Sequence, residues 1–202
     1  VYKVHIMSNL FQKLELEAFR AGINPRTQES REWFRRRIQR LTRINRDALM
    51  REQEINRRAS HSYGSMFMYF YDPKHKKKLP YYDRFPLTIP VEPAEGGFRG
   101  INLHYLPPVL RAKFLDSLLE TTNNDKYDES TRFRLTYNLL KGAARYRYFK
   151  ACIKHYLLEH VKSRFAEVAS PEWEIATFLP IARWQKQSAN RVYSESRRIA
   201  NG

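Results

Sequence analysis

Backbone chemistry constrains this chain most tightly from Met66 to Pro90, "MFMYFYDPKHKKKLPYYDRFPLTIP", where four prolines fall within twenty-five residues and Pro93 follows closely. Proline fixes φ at about −65° and donates no hydrogen bond, so a long helix or a fully laddered strand is excluded there. What remains is a series of short extended segments. "SMFMYFY" reads as a strand ending at Asp72-Pro73, "RFPLTIPVEP" as a second, and Glu95-Gly96-Gly97 turns the chain into "FRGINLHYL". Pro86, Pro90 and Pro93 place the middle segment at a sheet edge or in a polyproline-like run. Residues 64–106 are therefore expected to form a small antiparallel β segment.

After Pro107-Pro108 the apolar spacing becomes helical. "VLRAKFLDSLLE" sets Leu110, Phe114, Leu115 and Leu118 on one side, and "TRFRLTYNLLKG" follows with Asp128 or Ser130 as its cap and Gly142 as its stop. The longest helix is expected over "AARYRYFKACIKHYLLEHVKSRF", residues 143–165. Phe149, Cys152, Ile153, Tyr156 and Leu157 would cover one side of it, and Arg147, Lys150, Lys154 and Lys162 would share an arc of roughly 120° on another. Ser170-Pro171 with Glu172 and Glu174 reads as a helix start, and a last helix is expected from about Pro180 to Ile199.

Ahead of the strands, residues 1–63 are polar and rich in arginine. Trp33, Phe34, Ile38 and Leu41 recur at helical spacing, with Arg36, Arg40 and Arg43 on a different face, so a short amphipathic helix is expected from near Ser30. Between Arg26 and Arg58 there are eleven arginines and no lysine against five acids. The expected fold is α+β: a small proline-interrupted antiparallel β segment followed by a cluster of four or five helices, with an N-terminal basic helical arm. Residues 1–63 would be the arm and 64–202 one compact domain, with its β segment at 64–106 and its helical part at 107–202.

Charge narrows the function. The chain carries 37 Lys and Arg against 21 Asp and Glu, a formal net charge of +16, which favours a polyanionic partner. Aromatic residues make up 14%, too many for a disordered basic tail. The candidate anion-binding residues are Arg35, Arg36, Arg37, Arg40 and Arg43 of the arm, Lys76, Lys77 and Lys78 of the first loop, and Arg145, Arg147, Lys150 and Lys154 of the long helix. The arm and the lysine loop are each about as consistent with a solvated surface, and the arm also with docking on a neighbouring subunit.

No assembled chemistry is visible. His155 and His160, five apart, point about 140° away from each other on a helix, and "KHYLLEH" lacks the spacing of the HExxH zinc motif. "GGFRG" has no following Lys-Ser or Lys-Thr helix start and reads as a hairpin turn. Asp72, Asp83 and Asp116 are carboxylates of the kind a magnesium nuclease uses, but their spacing does not single them out. Cys152 stands alone, so no intrachain disulfide and no cysteine-rich zinc site can form. The expectation is a non-enzyme without metal, cofactor or small-molecule substrate. No run approaches the roughly 18 apolar residues of a membrane span, so no membrane partner is expected and a soluble chain made in a cytoplasm is.

The blocks "MYFYDPKHKKKLPYYDRFPLTIPVEP", "GFRGINLHYLPPVLRAKFLD", "TRFRLTYNLL", "YFKACIKHYLLEHVKSRF" and "EWEIATFLP" resemble the DNA end protector, or head completion, family of T-even-like tailed bacteriophages. The likeness runs from about Met66 to Pro180 and is carried by the aromatic and proline punctuation, especially "LPYYDRFP" and "NLHYLPP". It implies a virion protein of the head–neck region, made in the host cytoplasm, that holds ends of packaged double-stranded DNA without sequence specificity and touches portal, neck or tail proteins. Phosphate neutralisation by Arg and Lys would suffice for that task. The alternative is a purely structural neck, tail or baseplate component whose basic arm binds neighbouring subunits.

Overall fold

The computed structural model describes residues 10–41, 43–52, 55–122, 138 and 150–202. Three helices open the described chain: α1 (Leu10–Arg20), α2 (Gln28–Ile38) and α3 (Arg46–Arg51). Strands β1 (Asn56–Arg58), β2 (Met66–Met68), β3 (Tyr82–Asp83), β4 (Leu87–Ala94) and β5 (Gly97–Asn102) come next. A 3-10 turn at Leu103–Tyr105 leads into α4 (Pro108–Thr122). Beyond it lie β6 (Ile153–Leu157), β7 (Phe165–Val168), α5 (Trp173–Ala176), β8 (Trp184–Gln185) and α6 (Ala189–Asn201).

A six-stranded antiparallel sheet in the order β1-β7-β2-β4-β5-β6 organises the molecule, and β3 pairs with β8 in a separate ribbon. The fold mixes α and β as expected, but the cluster of four or five helices after residue 107 is overturned, because β6, β7 and β8 all come from that half. Residues 150–165 are not helical along their length. Lys150–Cys152 forms a 3-10 turn, and Ile153–Leu157 lies along β5 from Ile101↔Ile153 to Gly97↔Leu157. A short apolar run fits helical and strand periods alike, and pairing with β5 decides between them. The final helix starts only at Ala189, capped by Ser188, because Trp184 and Gln185 pair with Asp83 and Tyr82. The helix expected over 131–142 and the first part of that over 143–165 lie outside the described residues, except Asn138.

The expected edge position of the proline-rich strand is also overturned. β4 lies between β2 and β5. Its prolines are accommodated because β2 pairs only with Leu87 and Thr88, leaving Pro90 and Pro93 beyond that ladder, and the register with β5 shifts between Pro90 and Glu92. The expected hairpin turn is present. Ala94 faces Gly97, and Gly96 takes the left-handed φ of 70° that a side chain rarely adopts.

Alternation along "MFMYFY" separates two apolar layers. Met66 and Met68 enter the larger core with Phe85, Leu87 and Ile89, whereas Phe67, Tyr69 and Tyr71 join Phe98, Tyr156 and Phe165 in an aromatic cluster on the other side. These rings meet mostly edge to face, as in Tyr69–Phe165 at 5.0 Å and Tyr71–Tyr156 at 5.0 Å. Most of the aromatic run is thus architecture.

The arginine-rich helix packs as well. Thr27 caps α2 in a reciprocal capping box with Ser30, while Phe34 and Ile38 enter the core. Buried Glu174 on α5 accepts hydrogen bonds from the Ser30 hydroxyl at 2.7 Å and the Arg26 amide at 2.8 Å. These contacts fix the start of α2 against α5 across a sequence gap that gives no local signal.

Candidate nucleic-acid interface

Cations on this surface divide into those already committed to a partner and those still open to a ligand. On the arm, Arg37 makes a two-pronged ion pair with Glu17 at 2.6 and 3.1 Å, and Arg31 pairs with Asp116. Arg46 donates to the carbonyls of Ile181 and Ala182 at 2.6 and 2.7 Å. Arg36 is exposed and lies 3.8 Å from Glu32, a contact that solvent weakens. Arg40 and Arg43 are exposed, and Arg35 is half-buried at a shallow cavity shared with Pro107 and Arg197. Of the five arm arginines expected at an interface, Arg37 is the one most clearly occupied within the fold.

The lysine loop is built rather than loose. Lys78 and Leu79 amides both donate to the His75 carbonyl, at 2.9 and 3.1 Å, winding residues 73–79 into a compact turn. Lys76 pairs with Asp72 at 2.8 Å, and that hydrogen bond holds the Asp72 carboxyl below its ordinary value, with Lys76, Arg84 and Lys162 adding positive potential. Lys186, at a left-handed φ of 71°, reaches across from beyond β8. Its ammonium donates to the carbonyls of Lys76, Lys77 and Leu79 at 2.6, 3.1 and 2.7 Å. Three acceptors match the three donors of an ammonium, so Lys186 fixes the loop instead of meeting a ligand. Lys74, Lys77 and Lys78 are exposed, and no ion pair holds them among the described residues. The sequence pointed to the lysines but gave no sign of the clamp, since a lone lysine in "RWQKQS" has no pattern to mark it.

Next to this loop lies a cleft of about 290 Å³, lined by Leu79, Pro80, Tyr81 and Tyr82 together with Tyr105 and Lys154. Lys154 sits with its Nζ 4.2 Å from the Tyr105 ring centroid, a cation–π contact. Burial lowers its pKa below the ordinary lysine value. Lys150 is exposed on its 3-10 turn. The expected helical stripe of Arg147, Lys150 and Lys154 is therefore not formed as such: Lys154 is on a strand, and Arg145 and Arg147 lie outside the described residues.

Beneath the cleft runs a buried polar network centred on Asp83. Its Oδ1 accepts from the amides of Phe85 and Arg183, both at 2.9 Å. Its Oδ2 accepts from Asn102 Nδ2 at 3.2 Å and from His104 Nδ1 at 2.6 Å. Burial alone would raise the Asp83 carboxyl, but His104 and the two backbone N–H groups reverse this and hold it below the ordinary range. Burial lowers His104 in turn, despite Asp83, so the ring is neutral at pH 7 with its proton on Nδ1 facing Asp83. Asn102 also donates to Tyr156, and Tyr69 bonds Thr88 at 3.2 Å. Arg111, fully enclosed, donates to the carbonyls of Leu106, His104 and Thr177 and to the Tyr193 hydroxyl. These groups are structural supports for the cleft wall.

The carboxylates that suggested a magnesium site are dispersed: Asp72 to Lys76, Asp83 to His104, Asp116 to Arg31. Among the described residues no group of three or more His, Cys, Asp and Glu could hold a metal ion. His155 faces the Glu95 carbonyl at 2.9 Å and His160 the Asp72 carbonyl at 2.8 Å. Cys152 is buried, which pushes its thiol up to about 12 and leaves it unreactive. Among the described residues no helix is long and apolar enough to cross a membrane.

A sequence model of the phage T4 terminal DNA protecting protein family matches residues 2–201. Neither a curated protein nor a solved structure matches the chain.

Proposed function

The chain belongs to the phage T4 terminal DNA protecting protein family, and on that premise we propose that it binds the ends of packaged double-stranded DNA, without sequence specificity, in the head–neck region of the virion. The observation that carries this is the distribution of cations: on a chain of net charge +16, Lys74, Lys77 and Lys78 stand exposed on a loop clamped by Lys186. Arg35, Arg40 and Arg43 add further positive charge on the arm. A fixed loop loses less entropy on binding than a tail does. Contacts from lysine and arginine to phosphate carry no base information, so the grip is indifferent to sequence. The family supports the terminus as the ligand, and the exposed cations support a phosphate grip as the means of holding it.

Adjoining portal, neck or tail proteins are the virion partners in this proposal. A structural reading has one specific observation in its favour: Phe19 is 81% exposed and Leu16 46% exposed on α1, an apolar face of the kind a neighbouring subunit covers. Such a contact is compatible with DNA binding.

The test is equilibrium binding to a linear duplex and to a covalently closed circle of the same sequence across a salt series. Preference for the linear form, with log affinity falling by ~0.9 per phosphate contact for each unit of log salt, is the expected result. Equal affinity for both forms would refute end binding. Affinity indifferent to salt would favour the purely structural reading.

A further inference from the structure

We propose that the tyrosine-lined cleft between the lysine loop and β6 receives the terminal nucleotide of a DNA strand, with its base against Tyr81 and Tyr82 and its phosphate at Lys154. The inference rests on the duplex-end reading and adds to it a site that distinguishes an end from the middle of a duplex.

Three observations converge. At about 290 Å³ the cleft lies near the lower limit of small-molecule sites, large enough for one nucleotide and far too small for a duplex. A nucleotide must leave the helix to enter, and terminal pairs are the ones that open most readily.

The lining has the composition such a guest needs. Tyr81 and Tyr82 are half-buried and present aromatic surface, on which any base can stack. Tyr81 is itself braced by Tyr105 at 6.1 Å and Trp184 at 6.2 Å, and Tyr105 by Trp184 at 4.8 Å. The hydroxyls deeper in the cleft are already bonded: Tyr71 accepts from the Leu157 amide and Tyr156 from Asn102. Each keeps its own proton to donate, and the stacking surface itself accepts any base.

Lys154 supplies the charge. Its ammonium is half-buried beside the cleft and rests on the Tyr105 ring, and no carboxylate pairs with it among the described residues. A partly desolvated cation without a counter-ion is a site for an anion. Both Asp83 oxygens, although that residue lines the same cleft, are occupied by four donors from the protein. The lysine loop stands at the rim, where the next phosphates of the strand would pass. Tyr105 and Trp184 brace the stacking surface, Lys154 rests on Tyr105, and Lys186 clamps the loop, so the site is organised before DNA arrives.

The test uses the whole chain and a short duplex carrying 5-bromodeoxyuridine either at one terminus or at its centre. After irradiation, cross-linked peptides are mapped by mass spectrometry. The terminal label is expected on the peptide containing Tyr81 and Tyr82, and the central label elsewhere. Tyr82→Ala and, separately, Lys154→Met should each lower affinity for the open duplex about tenfold, the scale of one base–aromatic stack for the first and one charge-assisted hydrogen bond for the second, while affinity for a closed circle stays the same. The wild-type map does not depend on either variant folding. A terminal label found away from this peptide, with open duplex still preferred over the circle, would overturn the cleft and leave end binding intact. A circle that competes as well as the open duplex would overturn both. Free bromodeoxyuridine monophosphate labelling the same peptide, undisplaced by excess open duplex, would make this a site for a free nucleotide and overturn the proposal.

Discussion

Replacing Asp83 with Asn tests whether the buried network holds the cleft together. The substitution preserves shape and removes one acceptor oxygen. Two donors converge on each carboxylate oxygen, Phe85 and Arg183 amides on one and Asn102 and His104 on the other. With the new carbonyl kept toward the two amides, the new NH₂ group meets neutral His104, which shifts its proton to Nε2 and accepts at Nδ1, while Asn102 is left without its acceptor. One buried donor then loses its acceptor at a cost of ~1–3 kcal/mol, so the variant should lose ~2 kcal/mol. For a chain of this length that lowers Tm by ~4–8 °C. Asp83 lies on β3, so loosening its side chain also loosens the β3–β8 ribbon that positions Tyr82 and Trp184. Thermal unfolding followed by near-ultraviolet circular dichroism, which reports those rings, is the assay. A fall in Tm of less than 3 °C would refute the claim that the carboxylate is the common acceptor of this network.

Gly97→Ala should be more damaging than Gly96→Ala, because a methyl at Gly97 would stand 1.8 Å from the Tyr156 carbonyl oxygen and force β5 and β6 apart. Urea titration should show a loss of ~3 kcal/mol for the first and ~1 kcal/mol for the second, whose penalty is the left-handed φ. Acid should destabilise the protein early: His104 and Asp83 both have folded pKa values below their unfolded ones, so the unfolded chain binds more protons. Stability is then fully present above about pH 6.5 and is lost on acidification, first through His104 and then through Asp83, by up to ~1.4 kcal/mol per pH unit per proton. His61, also lowered by burial, adds in the same direction. His104→Asn, which retains a donor toward Asp83, should flatten the profile between pH 7 and 5 in melting experiments; an unchanged slope would count against this assignment. Among the arginines, Arg40→Gln with Arg43→Gln should reduce the salt slope of DNA binding without changing Tm, whereas Arg37→Gln should cost ~0.5–1 kcal/mol of stability through its pair with Glu17. The reverse pattern would contradict the division between free and committed cations.

Legibility in the sequence followed locality. The strand at Met66, the turn at Gly96 and the packed face of α2 rest on neighbours a few residues away, and each was readable from alternation, a glycine or an apolar spacing. Beyond Lys150 the pattern misled. Cys152, Ile153, Tyr156 and Leu157 match a helical face, yet Ile153–Leu157 becomes a strand because β5, more than fifty residues earlier, offers it a ladder. Nor does anything near Asp83 announce His104 or Arg183, which meet it only once three separate segments have folded together. The basic residues were visible as a class. Their division into ion-paired supports such as Arg37, carbonyl clamps such as Lys186, and open cations such as Lys77 depends on contacts between distant segments. The sequence sets Lys154 on a helical stripe, whereas the structure puts it on a strand at an aromatic cleft.

Whether the protein occupies termini or coats the duplex is decided most directly by exonuclease protection of linear DNAs of different length. The protein is titrated against a fixed concentration of ends, and undegraded DNA is measured after digestion. End binding predicts that protection saturates at the same ratio of protein to ends for every length, and that added closed circles do not raise that ratio. A saturation point that grows in proportion to duplex length would contradict the account.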